Sequence, residues 1–416
     1  MLNGNKPRLL ILTPRLPYPP IGGDRLRIYQ LCKHLANDFR LSLLSMCESR
    51  EEYLSPTAQD GIFTSVDRVL HGRWKRLAGC LRALPSSMPF QVGYYQNQEF
   101  ATKLQELLPA HDGVLAHLIR TGSYLSDCKL PKVLEMTDAI SLTYSRGSRL
   151  TQNGIVSALA YRWEARRLIR YERSIVDHFD LSILVSRVDR DFLLRPDSSA
   201  SVYVCPNGVD ASALPFQYRP DGATIIFIGN NTALHNVDGI LYFVEEILPR
   251  VRSRNPRAQF KVIGRISDRL RRRLQREAKV IVTGSVQSVA DEARSASVAV
   301  CPIRFGAGVQ NKLLEYLSLG IPAVTSAIGQ EGLAARDQVH LLLAETQDEW
   351  VDRVCELLQN PERGCALAHA GRALVEGEYS WSKLVEPLRR RIFDLVDSRF
   401  GKTSAKSILE HTTPSI

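Results

Sequence analysis

Short apolar runs alternate with amphipathic stretches along nearly the whole chain, and the alternation starts afresh near residue 224. In the first half the runs fall at 8–13, 41–44, 68–70, 113–116, 132–134 and 181–185, with helical patterns at 24–35 and 155–177. In the second half they fall at 224–228, 259–263, 280–283, 298–301 and 322–325, separated by helical patterns at 235–252, 267–278 and 288–296. Runs that are apolar throughout, rather than at every second residue, belong to strands buried on both faces. A parallel sheet between two layers of helices provides that environment.

An α/β chain of two Rossmann-like parallel-sheet domains facing a cleft is therefore expected. Turn clusters at Cys205-Pro-Asn-Gly-Val-Asp210 and Arg219-Pro-Asp-Gly222 put the junction near residue 206. The expected domains are 1–206 and 207–380. Further helical patterns at 348–358, 366–376 and 381–396 follow, and the helix at 381–398 precedes a tail, 399–416, with few apolar residues and expected disorder.

With 416 residues, 44% of them apolar and 24% charged, the chain can bury one core per domain. No stretch reaches eighteen apolar residues without a charge, and the run at 9–12 is too short for a signal-peptide core, so a cytoplasmic location is expected. The eight cysteines show no Cys-x-x-Cys spacing and read as reduced core thiols.

The formal net charge is +10, and residues 1–200 carry most of it, with 27 Lys and Arg against 20 Asp and Glu. Two helical patterns there are locally basic, at 73–82 and 162–170. In the first, Trp74, Leu77, Leu81 and Leu84 are spaced three and four apart, with Arg73, Lys75, Arg76 and Arg82 off the stripe. Pattern alone favours a stripe that faces the core and a basic face in water. The other reading is a helix lying on the anionic inner face of the plasma membrane, which would make the protein peripheral there. No zinc-ligand spacing, ribonucleoprotein signature or helix-turn-helix is present, so nucleic acid is not an expected partner.

One stretch of the second half carries chemistry: Gly306-Ala-Gly-Val-Gln-Asn-Lys-Leu-Leu-Glu315-Tyr-Leu-Ser-Leu-Gly320, set between two buried runs. It reads as strand, glycine loop, helix, glycine stop and strand. Lys312 and Glu315, three apart, share a helix face. The helix N-terminus offers unpaired N–H groups and partial positive charge, and Gly306 and Gly308 allow a ligand close to that backbone. A diphosphate would sit there, with Glu315 accepting hydrogen bonds from a ribose diol. The same Lys and Glu spacing also serves a salt-bridged solvent face, but open α/β sheets bind ligands beyond the carboxyl ends of their strands.

These residues carry a resemblance. Gly264-Arg265, Val282-Thr-Gly-Ser285, Gly308-Val-Gln-Asn-Lys-Leu-Leu-Glu315 and Gly320-Ile-Pro-Ala-Val324 together resemble the nucleotide-binding half of retaining glycosyltransferases of family 4, which have the GT-B fold. Within that family the chain looks most like bacterial exopolysaccharide and PEP-CTERM-type sugar transferases with the signature Gly-Val-Gln-Asn-Lys-x-Leu-Glu. Val185-Ser186 with Asp189, Pro206-Asn-Gly-Val-Asp210, His235-Asn-Val-Asp238 and Tyr379-Ser-Trp381 extend the likeness, which spans roughly 8–396.

The resemblance implies that the second domain binds a nucleotide-diphosphate-sugar, as co-substrate rather than cofactor, and that the first binds a glycan or polyprenyl-linked acceptor. It implies a last helix that crosses back to the first domain, and chemistry without a metal. Carried over by position, Glu315 would hold the ribose and Lys312 the diphosphate, within a loop and helix start that includes Gly308, Val309, Asn311 and Leu313. Gly22 and Gly23 would approach the donor from the other wall, and Val286 would lie beside the base. His117, at a strand end, would stand near the donor sugar; it reads equally as a packed histidine. Asp138 would orient an acceptor hydroxyl, or else cap the following helix.

Breaking a glycosyl–phosphate bond puts negative charge on the leaving diphosphate, which Lys312 and the helix N-terminus can stabilise. Two positions depart from the family's usual pattern. Ala307 stands where many members carry a glutamate that touches the donor sugar. Gly229-Asn230-Asn231 replaces an Arg and Lys phosphate anchor, a loss that Arg265 would make good from a neighbouring strand end. By position, Gly229 and Asn230 would still fall among the donor-binding residues.

Three other readings stand beside this one. A dinucleotide oxidoreductase is disfavoured, because no Gly-x-Gly-x-x-Gly follows the runs at 9–12 or 224–228. A nucleotide-sugar 2-epimerase shares the architecture and would use paired carboxylates. A non-catalytic glycan- or membrane-binding homologue would follow if the missing anchor is not replaced.

Overall fold

The apolar runs of the first half become strands β1 (Arg8–Thr13), β2 (Arg40–Cys47), β3 (Phe63–Leu70), β4 (Gly113–His117), β5 (Lys132–Thr137), β6 (Leu181–Leu184) and β7 (Val202–Val204). They form one sheet in the order β3-β2-β1-β4-β5-β6-β7, parallel throughout. Leu9 pairs with Leu41 on one side and Gly113 on the other. Leu9, Leu10, Ile11 and Leu12 are each 0% exposed, as strands covered on both faces require. The edge strand β7 was not evident in the sequence, because three half-buried residues show no period.

The computed structural model describes residues 6–149 and 154–410. Its chain divides into two units, Met1–Cys205 with Val385–Ile416, and Pro206–Leu384. In the first unit the last helix, Trp381–Glu410, sets Val385, Leu388, Ile392 and Val396 into the core at helical spacing. Phe393 packs on Phe39 with ring centroids 5.8 Å apart, and Arg389 pairs with Asp38 at 2.5 Å. The helix expected at 381–398 runs to Glu410, with Pro387 and Gly401 inside it; a glycine within a helix costs only about 1 kcal/mol. Residues 411–416 lie outside the described residues.

The helix Arg73–Ala83 corrects an expectation. Its inward residues are Gly79 and Ala83, whereas Trp74 is 75% exposed, Leu77 51%, Leu81 57% and Leu84 50%. The apolar stripe faces water rather than the core. A Cβ on Gly79 would overlap the carbonyl oxygen of Gly93, so this helix approaches its neighbour too closely for a large side chain.

The second unit repeats the design with β8 (Thr224–Ile228), β9 (Gln259–Ile263), β10 (Ile281–Gly284), β11 (Val298–Cys301), β12 (Ala323–Thr325) and β13 (Leu342–Leu343). The order is β10-β9-β8-β11-β12-β13, again parallel. One core face is built around Phe227, Phe243, Phe260 and Trp350. The helix expected at 235–252 is divided into Leu234–Tyr242, a π turn at Phe243–Ile247, and Leu248–Arg254. Pro249 explains the division, because it lacks an N–H and its ring crowds the carbonyl one turn back. In both sheets the strand order reverses beside the first strand, between β1 and β4 and between β8 and β11. Loops leaving those neighbours diverge and open a crevice at the carboxyl edge.

Candidate functional site

In the second unit that crevice is lined by the loops after β8, β9 and β11. Gly264 follows β9 with φ +114°, and a Cβ there would overlap the carbonyl oxygen of Gly229, which follows β8. Only glycine satisfies both the backbone and the space. After β11 the chain loops through Gly306 and Gly308 into the helix Asn311–Leu319, whose first N–H groups have no partner within the helix. Gly320 ends it in the left-handed conformation, φ 72° and ψ 32°, against the Phe216 ring.

Lys312 lies within this frame, 7% exposed. Its ammonium donates to Asn236 Oδ1 and Gln310 Oε1, both at 2.9 Å, and stands 5.3 Å from the centre of the Phe227 ring. Asn236 is itself fixed, since its Nδ2 donates to the carbonyl of Asn230 at 2.9 Å. Burial pulls the Lys312 pKa below its ordinary value, with Cys301 and Glu315 working against that shift. An ammonium held this way is positioned before any ligand arrives, and an anion beside it would favour its charged form.

Glu315, one turn further along the same face, is half-buried and makes no hydrogen bond or ion pair among the described residues. Burial pushes its carboxyl up to about 7, partly offset by the charge of Lys312. Asn311, at the helix start, accepts from Asn207 Nδ2 at 2.7 Å. Leu313 is a core residue with 0% exposure, and its N–H donates to the Gln310 carbonyl, so its contribution is to hold the helix down. Val309 is 8% exposed and Val286 packs on the core beside the loop that follows β10.

At the strand ends, Asn230 is exposed and its Oδ1 accepts from the Thr232 hydroxyl at 2.7 Å. Arg265 is exposed, and its guanidinium has no partner among the described residues. His235 lies near Lys312; burial, then the lysine's charge, lowers its pKa to about 4, so its imidazole is neutral at physiological pH. A second cation in the loop after β11 was not read from the sequence. Arg304 holds Asp238 at 2.9 and 2.5 Å and lies 4.8 Å from the centre of the Tyr242 ring. Asn236 and Asp238 belong to the His235-Asn-Val-Asp238 motif, which pointed at this loop without assigning either residue a task.

The other candidates belong to the first unit. Gly22 and Gly23 stand exposed where the chain enters the helix Gly23–Leu35. His117 ends β4 and is 3% exposed; its Nδ1 lies 2.5 Å from Glu135 Oε2. Glu135 also accepts from Arg27 Nε at 2.6 Å, both side chains being fully buried. Burial alone would raise the Glu135 pKa, but Arg27 and His117 outweigh it and hold the carboxyl at about 2. Just beyond β4, and at the last residue of β5, Leu118 and Thr137 have φ values of 64° and 66°. Left-handed backbone at non-glycine residues is costly and concentrates at working sites.

Asp138 does not cap the next helix. The N–H groups of Ile140 and Ser141 donate to the Glu172 carboxylate at 2.8 and 3.2 Å, and Ala139 N–H donates to Asp189 at 2.9 Å. Burial, reinforced by the charge of Asp189, raises the Asp138 carboxyl to about 7. Asp189-Arg190-Asp191 is an Asp-x-Asp triplet whose members part company: Asp189 is buried against Ser186, and Asp191 pairs with Arg190 at 2.8 Å on the surface. Among the described residues no three His, Cys, Asp or Glu side chains gather as a metal site.

Residues 222–360 match the family model described as Glycosyl transferases group 1. Over 399 residues the chain is 19% identical to an uncharacterised 44.6 kDa protein of the cps region of Klebsiella pneumoniae, covering 91% of this chain and 97% of that protein. Sucrose-phosphate synthase from Thermosynechococcus elongatus superimposes with a TM-score of 0.72 at 15% identity, over 94% of this chain and all of that one. HepE of Anabaena, solved in complex with UDP, gives a TM-score of 0.65 at 12% identity, over 92% of this chain and 99% of that one. The fold is therefore GT-B. The matched segment contains Gly229, Arg265, Lys312 and Glu315, and this match together with the fold supports a glycosyltransferase.

Proposed function

We propose that the chain is a retaining, metal-independent glycosyltransferase of family 4. It moves a hexosyl group from a nucleoside-diphosphate sugar to a glycan or polyprenyl-linked acceptor in cell-surface polysaccharide assembly. The observation that carries this reading is Lys312, a buried cation held by Asn236 and Gln310 beside the glycine loop, one helical turn before a carboxylate with free acceptor sites. The cps-region relative and the UDP-bound HepE structure point the same way.

The donor's diphosphate lies over Gly306, Gly308 and the helix N-terminus, and Glu315 takes the ribose hydroxyls. As the anomeric C–O bond breaks, negative charge grows on the departing diphosphate, and Lys312 together with the helix N–H groups stabilises it. Arg265 supplies the outer phosphate contact. The acceptor hydroxyl attacks from the face the diphosphate leaves, and a phosphate oxygen takes its proton, so no side-chain nucleophile is needed. His117, whose Nδ1 is held by Glu135, and Asp138 are the first unit's candidates for contact with the sugar and the acceptor.

The test is a panel of UDP-, GDP- and TDP-sugars incubated with the protein, with and without lipid-linked glycan, and analysed by mass spectrometry and NMR. Transfer only when acceptor is present, with the donor's anomeric configuration kept, supports the proposal. An epimerised donor in the absence of acceptor would replace it with the 2-epimerase reading.

A further inference from the structure

We infer that the helix Arg73–Ala83 is a docking element for an anionic phospholipid surface. At about 100° per residue, Trp74, Leu77, Leu81 and Leu84 fall within an arc of about 80°. All four are at least half exposed. Arg73 borders that arc on one side, and Arg82 and Lys75 lie about 80° to 100° beyond it on the other, all three exposed and Lys75 paired with Glu99 at 2.9 Å. The helix carries no acidic residue. A tryptophan and three leucines between basic side chains suit the boundary between acyl chains and negatively charged headgroups.

The surface extends beyond this helix and is rigidly mounted. Arg167, on the helix Gly154–Val176, donates to the carbonyls of Ala83, Ser86 and Met88 and so binds the C-terminal end of the basic helix. The same guanidinium lies 4.3 Å from the centre of the Trp163 ring. Trp163 is 44% exposed and Leu159, one turn earlier, 58%, with Arg162, Arg166 and Arg170 exposed on the same helix. Two helices with exposed basic residues thus join at Arg167, with Trp163 beside the joint and Trp74 at the far end of the helix Arg73–Ala83. A second copy of the chain would bring like charges together on such a face, whereas anionic lipid neutralises them. Among the described residues no helix is long and apolar enough to cross a membrane, so contact through this face is interfacial.

The experiment is co-sedimentation of the full chain, without nucleotide, with vesicles of phosphatidylcholine alone and of phosphatidylcholine with phosphatidylglycerol at about 3:1. The parent should bind the anionic vesicles, weakly bind the neutral ones, and release at high salt. Two double variants, L77S/L81S and R73E/R82E, should each lower the partition coefficient about tenfold or more. All four positions are exposed, so thermal unfolding should be unchanged and certify the fold. Failure of the parent to bind anionic vesicles, or equal binding by parent and variants, would overturn the inference. A concentration-dependent dimer that L77S/L81S abolishes, without vesicle binding, would also overturn it and assign the face to a second copy. Because no sugar nucleotide is used, the result stands apart from the test of the transferase reading.

Discussion

Glu135 Oε2 lies 2.5 Å from His117 Nδ1, and the carboxylate's other oxygen takes the Arg27 guanidinium at 2.6 Å, in surroundings closed to water. Glu135→Gln would leave Arg27 buried without its counter-charge. The expected loss is about 3 kcal/mol of stability, read from urea unfolding. The folded carboxyl titrates at about 2, below its ordinary value of 4.5. Its contribution is therefore present in full above pH 4.5 and fades as the pH falls toward 2. The acid limb of the parent's stability curve should weaken in the variant.

Gly264→Ala tests the crevice floor. The added methyl would meet the Gly229 carbonyl oxygen, and φ +114° is unfavourable for any residue with a Cβ. A loss of roughly 2 kcal/mol or more is expected in chemical denaturation. Donor affinity should fall in parallel, since the loops after β8 and β9 must move apart.

With Glu315 at the ribose, as proposed, nucleotide affinity should depend on pH. The Glu315 carboxyl, raised to about 7 by burial, must be ionised to accept two ribose hydroxyls. Binding of the cognate sugar nucleotide should strengthen about tenfold between pH 6 and 8, the span over which the carboxylate fraction rises. A sugar nucleotide is the right ligand because its diphosphate diester does not titrate there. Calorimetry should find the dependence lost in Glu315→Gln.

Asn236→Ala probes how Lys312 is held. One of the two side-chain acceptors of the ammonium disappears. Turnover should drop about tenfold with a smaller change in donor affinity, because misplacement of the cation matters most when charge builds on the leaving group.

Much of the frame was legible in the sequence because its strands are apolar throughout. The runs at 224–228, 259–263 and 298–301 have the bounds of β8, β9 and β11. Strands β7 and β13, three and two residues long, carry no periodic signal at all. The Lys312 and Glu315 pair was visible from spacing and glycines. The supports were not, because Asn236 lies 76 residues from Lys312 and Glu135 lies 108 from Arg27. Such pairings follow from strand order, which spacing along the chain does not encode. The stripe of the helix Arg73–Ala83 misled for a different reason: periodicity reveals an apolar face but not the direction it faces, and Gly79 and Ala83 were the residues that decided it.

The most direct measurement is isothermal titration of UDP-, GDP- and TDP-sugars into the parent, Lys312→Ala and Glu315→Ala, followed by single-turnover rates with the donor that binds. One donor should bind the parent, Glu315→Ala should weaken it about tenfold or more, and Lys312→Ala should lower turnover about a hundredfold. Failure of every sugar nucleotide to bind, or variants that match the parent in both affinity and rate, would contradict the donor site at Lys312 and Glu315.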